Sequence, residues 1–244
     1  MADSWNQRLQ RGLNRALHPL GLHLIRKERA FEMEGVLARA AQRGMQIGSW
    51  IDIGASDGTW SLHARTHFPK AKFLLFEPLH ERQAALHALR ARYGFEIVSA
   101  AAGAGPGTIA FNVDPDLDGS GVASAGSADA RSVPVESIDN VVAARALPAP
   151  YGLKLDTHGH ELAVLAGAAA VLERAELLVI EAYAFKLTPE CLRFHELCAW
   201  LEVRGFRCCD LADPMRRPLD GALWQIDFAF IRASHPLFES SEYR

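Results

Sequence analysis

The residues richest in chemistry begin at Trp50-Ile-Asp52-Ile-Gly54-Ala55-Ser56-Asp57-Gly58-Thr59-Trp60, where an apolar strand turns into a helix through glycines. In such a turn the backbone N–H groups at the helix start face a ligand, and a glycine lets that ligand approach the main chain closely. The spacing is G-x-x-x-G, and Ser56 stands where the middle glycine of a dinucleotide site would lie against a pyrophosphate. A nucleoside ligand without phosphates suits the turn better. Glu77 ends the next strand, 25 residues after Asp52, where a carboxylate accepts both hydroxyls of a ribose. Alone, Glu77 reads as a solvated strand end; the order strand, glycine turn, helix, strand, acid makes it a binding residue.

Asp156 and Glu181 end two later strands, and His158 and His160 follow the first of them. Ligands of open α/β sheets bind outside the carboxyl ends of the strands, which singles out the two carboxylates. Either one of these four residues acts as a general base toward a hydroxyl, or Asp156 and Glu181 hold a divalent metal such as Mg2+ that acidifies it. The plainer alternatives are a helix-capping Asp156 and a hydrogen-bonded structural His160.

Two patterns mislead. Thr157-His158-Gly159-His160-Glu161 is similar to the start of the zinc motif of metallo-β-lactamase-type hydrolases, but an apolar helical pattern replaces the Asp-His pair that should follow. A metal-dependent hydrolase using the His158/His160 pair is the alternative function. Asp114-Pro-Asp116-Leu-Asp118-Gly119 opens like a calcium loop, yet its twelfth position is Ala125 where a bidentate Glu is required, so it reads as a solvated turn. Asp116 and Ser120 touch the acceptor if that loop closes over the pocket.

These groups need a scaffold, and the chain can supply one. Its 244 residues are 49% hydrophobic and 23% charged, enough for a buried core. A net charge of −3 provides no basic field for nucleic acid. Without a membrane-length apolar run or a secretory leader, the sequence reads as cytoplasmic. Cys191, Cys198, Cys208 and Cys209 form no C-x-x-C pair and read as buried, reduced thiols.

Residues 1–29 carry +4 and the rest −7. Leu9, Leu13, Ala16, Leu17 and Leu20 recur at helical spacing, an amphipathic basic helix expected to pack on its own domain or across a homo-oligomer interface rather than on a membrane. A second helix spans about Ala30 to Arg43, stopped by Gly44. Strands at 49–54, 72–77, 95–102, 153–156 and 177–181 alternate with helices at about 59–68, 79–93, 161–172 and 189–204, which means a parallel sheet covered on both faces. Phe206–Leu211 and Trp224–Arg232 suggest an antiparallel pair finishing it. The expected division is a helical extension over 1–46 and one α/β domain over 47–244. Gly103 to Arg131, polar and small with one strand candidate at Thr108–Val113, reads as a lid or substrate loop.

Asp52-Ile-Gly-Ala-Ser-Asp-Gly58, Phe76-Glu77-Pro78, the block from Leu153 to Ala168, and Gln225-Ile-Asp227-Phe-Ala-Phe resemble the FkbM-type S-adenosylmethionine-dependent methyltransferases. The resemblance covers roughly residues 48–232. It implies a Rossmann-like class I sheet, parallel except for an antiparallel final strand, with helices on both faces. It also implies S-adenosylmethionine as donor, with Gly54, Ala55 and Ser56 against the methionine part, Glu77 and Pro78 at the ribose, and Ser99, Ala100 and Ala101 beside the adenine. Asp52 would anchor the loop or reach the amino group. The family usually carries Glu or Gln where this chain has His158. The expected reaction is O-methylation of a saccharide, natural product or other small molecule, without nucleic acid or an integral membrane segment. A methyltransferase-like protein that only binds a partner is the non-enzymatic alternative.

Overall fold

The computed structural model describes residues 12–22, 24–25, 31–123 and 130–243. Seven strands form the main sheet: β1 (Ser49–Ile53), β2 (Lys72–Phe76), β3 (Glu96–Val98), β8 (Tyr151–Leu155), β9 (Ala175–Tyr183), β10 (Phe206–Arg216) and β11 (Leu223–Arg232). Their order is β10-β11-β9-β8-β1-β2-β3. The first five are parallel, and β11 lies antiparallel between β9 and β10. This is the expected class I arrangement, with its reversed strand at the β11 position.

β1 and β8 are buried at every residue, Asp52 and Lys154 included, as strands covered on both faces are. Trp50, Phe73, Leu75 and Val179 pack against α1 (Met33–Gln42), α2 (Thr59–His67) and α3 (His80–Tyr93) on one face. On the other, Ile51, Ile53, Leu153, Leu155 and Ile180 meet α4 (Ile138–Ala144), α5 (Glu161–Ala166), α6 (Ala169–Glu173) and α7 (Phe194–Glu202). Alternate residues of each strand therefore feed two cores.

Several expectations need correction. The predicted third strand divides: β3 stays in the main sheet, whereas β4 (Ala101–Ala102) joins β5 (Gly107–Asn112), β6 (Gly121–Val122) and β7 (Arg131–Glu136) in a second sheet ordered β4-β7-β5-β6. The insertion is thus partly a small sheet with its own core of Leu79, Phe111, Val133 and Val135. The helix expected over 161–172 breaks at Gly167, and the one expected from Pro189 starts at Phe194. Cys208 is exposed, not buried, and all four thiols are free.

Residues 12–17 are helical, but Leu13 is 45% and Leu20 71% exposed, so this stretch does not bury its stripe on the domain; Leu9 lies outside the described residues. No helix among the described residues is long and apolar enough to cross a membrane.

The break at Gly167 fixes the second sheet to the first. A Cβ at Gly167 would lie 1.9 Å from the carbonyl oxygen of Gly103, and Gly103 in turn donates its N–H to Glu136. Gly167→Ala must push these backbones apart, so we expect a loss of about 1–3 kcal/mol, or roughly 2–12 °C in Tm by calorimetry. A Tm within about 1 °C of wild type would refute that contact.

Candidate active site

The glycine turn opens at the carboxyl end of β1. Gly54 has φ +75°, and a Cβ there would lie 2.1 Å from the carbonyl oxygen of Asp156, so only glycine lets β1 leave the sheet beside β8. The N–H groups of Gly54 and Ala55 both donate to the carbonyl of Phe76, which ties the turn to the end of β2. Glu77 follows directly. Its carboxylate accepts the N–H of Ser56 (2.9 Å) and the N–H of Leu79 (2.8 Å), one on each oxygen, leaving further lone pairs on both. Burial raises its pKa above the ordinary carboxylate value.

One cavity gathers most of the expected residues. Gly54, Ser56, Glu77, Pro78, Ala101, Asp156, His158 and His160 line it. Ala55 and Ala100 are buried away from it, and Ser99 is exposed with its hydroxyl donating to Gln83 Oε1. Asp52 lies beneath the turn, fully buried, and accepts from Ser61 Oγ on α2 at 2.7 Å, the anchoring position. The insertion covers the cavity with Leu117, Asp118, Ser120, Gly121 and Val122. Asp118 pairs with Arg82 of α3 and with Ser56 Oγ, while the backbone N–H of Asp116 donates to Asp114 Oδ1 within its own turn.

Beyond β8 the chain turns sharply, with φ +51° at His158 and +98° at Gly159, and Glu161 secures the turn by accepting from Thr157 Oγ1 and Gly159 N–H. His158 then points at carboxylates: its Nε2 is 3.2 Å from Asp156 and 3.6 Å from Glu181, and its Nδ1 lies 2.9 Å from the Ser120 carbonyl. A carbonyl only accepts, so Nδ1 carries a proton. Tyr183 and Gln225 donate to the two oxygens of Glu181. Among the described residues, the ligand atoms of Asp156, His158 and Glu181 lie within 4.8 Å of one another, and His160 is not part of that group. The two histidines do not make a common metal pair.

Strand register builds the charges below. Asp52 pairs with Lys154, and Asp227 with Glu181. Lys154 Nζ lies 3.1 Å from Asp156 and 3.6 Å from Asp52. Burial alone would strip its proton, but the charges of Asp156 and Asp52 outweigh that and raise its pKa. For Asp156, burial is outweighed by Lys154 and His158, and the pKa falls below the ordinary value. For His158, burial is outweighed by the hydrogen bond and charge of Asp156, with Glu181 adding to them, and the pKa rises to about 9. Burial, then the charge of Asp156, pushes Glu181 up to about 8 and Asp227 up to about 7. Sequence reasoning missed Arg82 and Tyr183 altogether and assigned Lys154 no role; a lysine between two leucines of a fully buried strand was the available signal.

These shifts set the pH dependence of stability. His158, raised from 6.5 to about 9, contributes stability that is complete below 6.5 and lost as pH rises through 9. Glu181, raised from 4.5 to about 8, binds its proton more tightly when folded, so its deprotonation also favours unfolding as pH rises toward 8. Both act in one direction. Tm should fall between pH 6.5 and 9, with a shallower slope in His158→Gln; a Tm that is flat or rises there would contradict the cluster.

No curated protein matches the chain. Solved structures of similar shape include a 1,6-didemethyltoxoflavin-N1-methyltransferase from Burkholderia thailandensis, 15% identical with a TM-score of 0.45 over 84% of this chain and 79% of that one. Another is a precorrin-6y C5,15-methyltransferase from Geobacter metallireducens, 12% identical with a TM-score of 0.43 over 82% and 87%. The methyltransferase FkbM domain matches residues 52–208, from the glycine turn through the ends of β8 and β9, and with more than half of its length so matched this chain belongs to the FkbM methyltransferase family.

Proposed function

We propose that this methyltransferase takes its methyl group from S-adenosylmethionine and passes it to a hydroxyl of a saccharide, natural product or other small molecule. The observation that carries the reading is the cavity in which the glycine turn and Glu77 meet Asp156, His158 and His160; Glu181 lies behind it, 3.6 Å from His158. The chemistry of the donor fits these residues. Glu77 presents a buried carboxylate to a ribose diol. The donor supplies an electrophilic methyl on a cationic sulfur. Gly54 and Ser56 are assigned to its methionine part, Glu77 and Pro78 to its ribose, and Ala101 to the adenine side, whereas Ala55, Ser99 and Ala100 do not line the cavity.

Asp156 and Glu181 belong to the acceptor half. Asp156, held ionised between Lys154 and His158, is an electrostatic and orienting group; Glu181, held by Tyr183 and Gln225, positions His158 beside it. His158 is already protonated near neutral pH and serves as a cation. The three-residue ligand group favours a second version of the same chemistry, in which Asp156 and Glu181, with His158, hold Mg2+ and the ion acidifies the hydroxyl.

Calorimetric titration with S-adenosylhomocysteine tests the donor. Saturable one-to-one binding is expected. No binding by the folded chain would remove S-adenosylmethionine from the reading and favour a protein that only binds a partner.

A further inference from the structure

A second cavity, of about 560 Å3, opens beside the first, and His160 and Val122 line both. That volume is in the roughly 300–1,000 Å3 range of small-molecule sites. We propose that this second cavity is the acceptor subsite, that it takes an uncharged, largely apolar molecule bearing a hydroxyl, and that His160 receives the hydroxyl proton. The inference rests on the donor assignment above.

The lining argues for the class of acceptor. Leu162, Ala163 and Pro189 give it apolar walls, and among its described lining residues the one acidic side chain, Glu190, is exposed. A charged acceptor would lose hydration there without gaining a buried partner.

The state of each polar group argues for His160. Asp156 is paired with Lys154, both nitrogens of His158 are engaged, and Tyr183 and Gln225 hold Glu181. The His160 ring makes no hydrogen bond or ion pair among the described residues and lines both cavities, so a ring nitrogen is open to accept from a ligand there. The acceptor oxygen attacks the methyl carbon, and a C–O bond forms as the C–S bond breaks. The C–S electron pair remains on sulfur as a neutral thioether. The hydroxyl proton passes to His160, and the imidazolium returns it to solvent.

The test uses the full chain saturated with S-adenosylhomocysteine and labelled on its histidine rings. Phenol, toluene, benzoate and benzylamine serve as probes of similar size, followed by NMR. Phenol should shift the His160 signals more than toluene does, and the two charged probes should leave them unchanged. Ala163→Trp should abolish the response to phenol while S-adenosylhomocysteine still binds within about twofold of wild type. With S-adenosylmethionine in place of the product, anisole should form from phenol at least about 100-fold more slowly in His160→Gln than in wild type. Absence of a phenol response, equal shifts with toluene or a charged probe, or a response surviving Ala163→Trp overturns the subsite. Equal anisole formation by wild type and His160→Gln overturns the proton role. Failure of S-adenosylhomocysteine to bind the wild-type chain would instead bring down the donor assignment.

Discussion

Glu181→Gln is expected to lower kcat at least about a hundredfold while donor binding persists, and Asp156→Asn to do the same. Glutamine keeps the shape of Glu181, whose oxygens accept from Tyr183 and Gln225, but removes its acidic group and with it the 3.6 Å ionic contact to His158. Asparagine at 156 leaves Lys154 with Asp52 as a partner and takes from His158 its shortest ionic contact, at 3.2 Å. Turnover is to be measured with and without Mg2+ and with a chelator. Loss in both variants with chelator sensitivity in wild type supports the ion, and loss without that sensitivity supports direct action of the residues. If both variants keep wild-type kcat, the two carboxylates are structural and the acceptor half has been misplaced.

Glu77→Ala should weaken S-adenosylhomocysteine binding at least about tenfold, since each charge-assisted hydrogen bond to a ribose hydroxyl contributes roughly 1.5–3 kcal/mol before water compensates. The same substitution strands the N–H groups of Ser56 and Leu79, which the carboxylate now accepts, so Tm should fall as well. Glu77→Gln separates the two effects. It retains an acceptor oxygen for one backbone N–H, so stability should recover more than affinity does. Unchanged affinity in either folded variant would end the ribose assignment.

The main sheet was legible because each central strand is a short, mainly apolar run that ends in glycine or an acid, as in Ile51 to Gly54 and Leu177 to Glu181. The second sheet was not. β4 and β6 are two residues each, too short for any periodicity, and Pro134 interrupts the alternation of β7 with a residue that reads as a strand breaker. α4 has seven residues, with only Ser137 accepting from the N–H of Asn140 to announce it. In the site, Gly54, Glu77, Asp156 and His158 were found because each stands at the end of a strand. Tyr183 and Arg82 were missed because their partners, Glu181 and Asp118, are brought to them by β9 geometry and by the folded insertion.

The register of the charged layer limits how this chain can change length. Asp52 faces Lys154 across β1 and β8, and Glu181 faces Asp227 across β9 and β11. Adding or deleting one residue within any of these strands would turn everything beyond it to the opposite face, exchanging charges with core side chains. Residues 217–222, between β10 and β11, carry none of that constraint. Length variation is therefore tolerable at that turn, whereas these four strands admit substitution but not insertion or deletion.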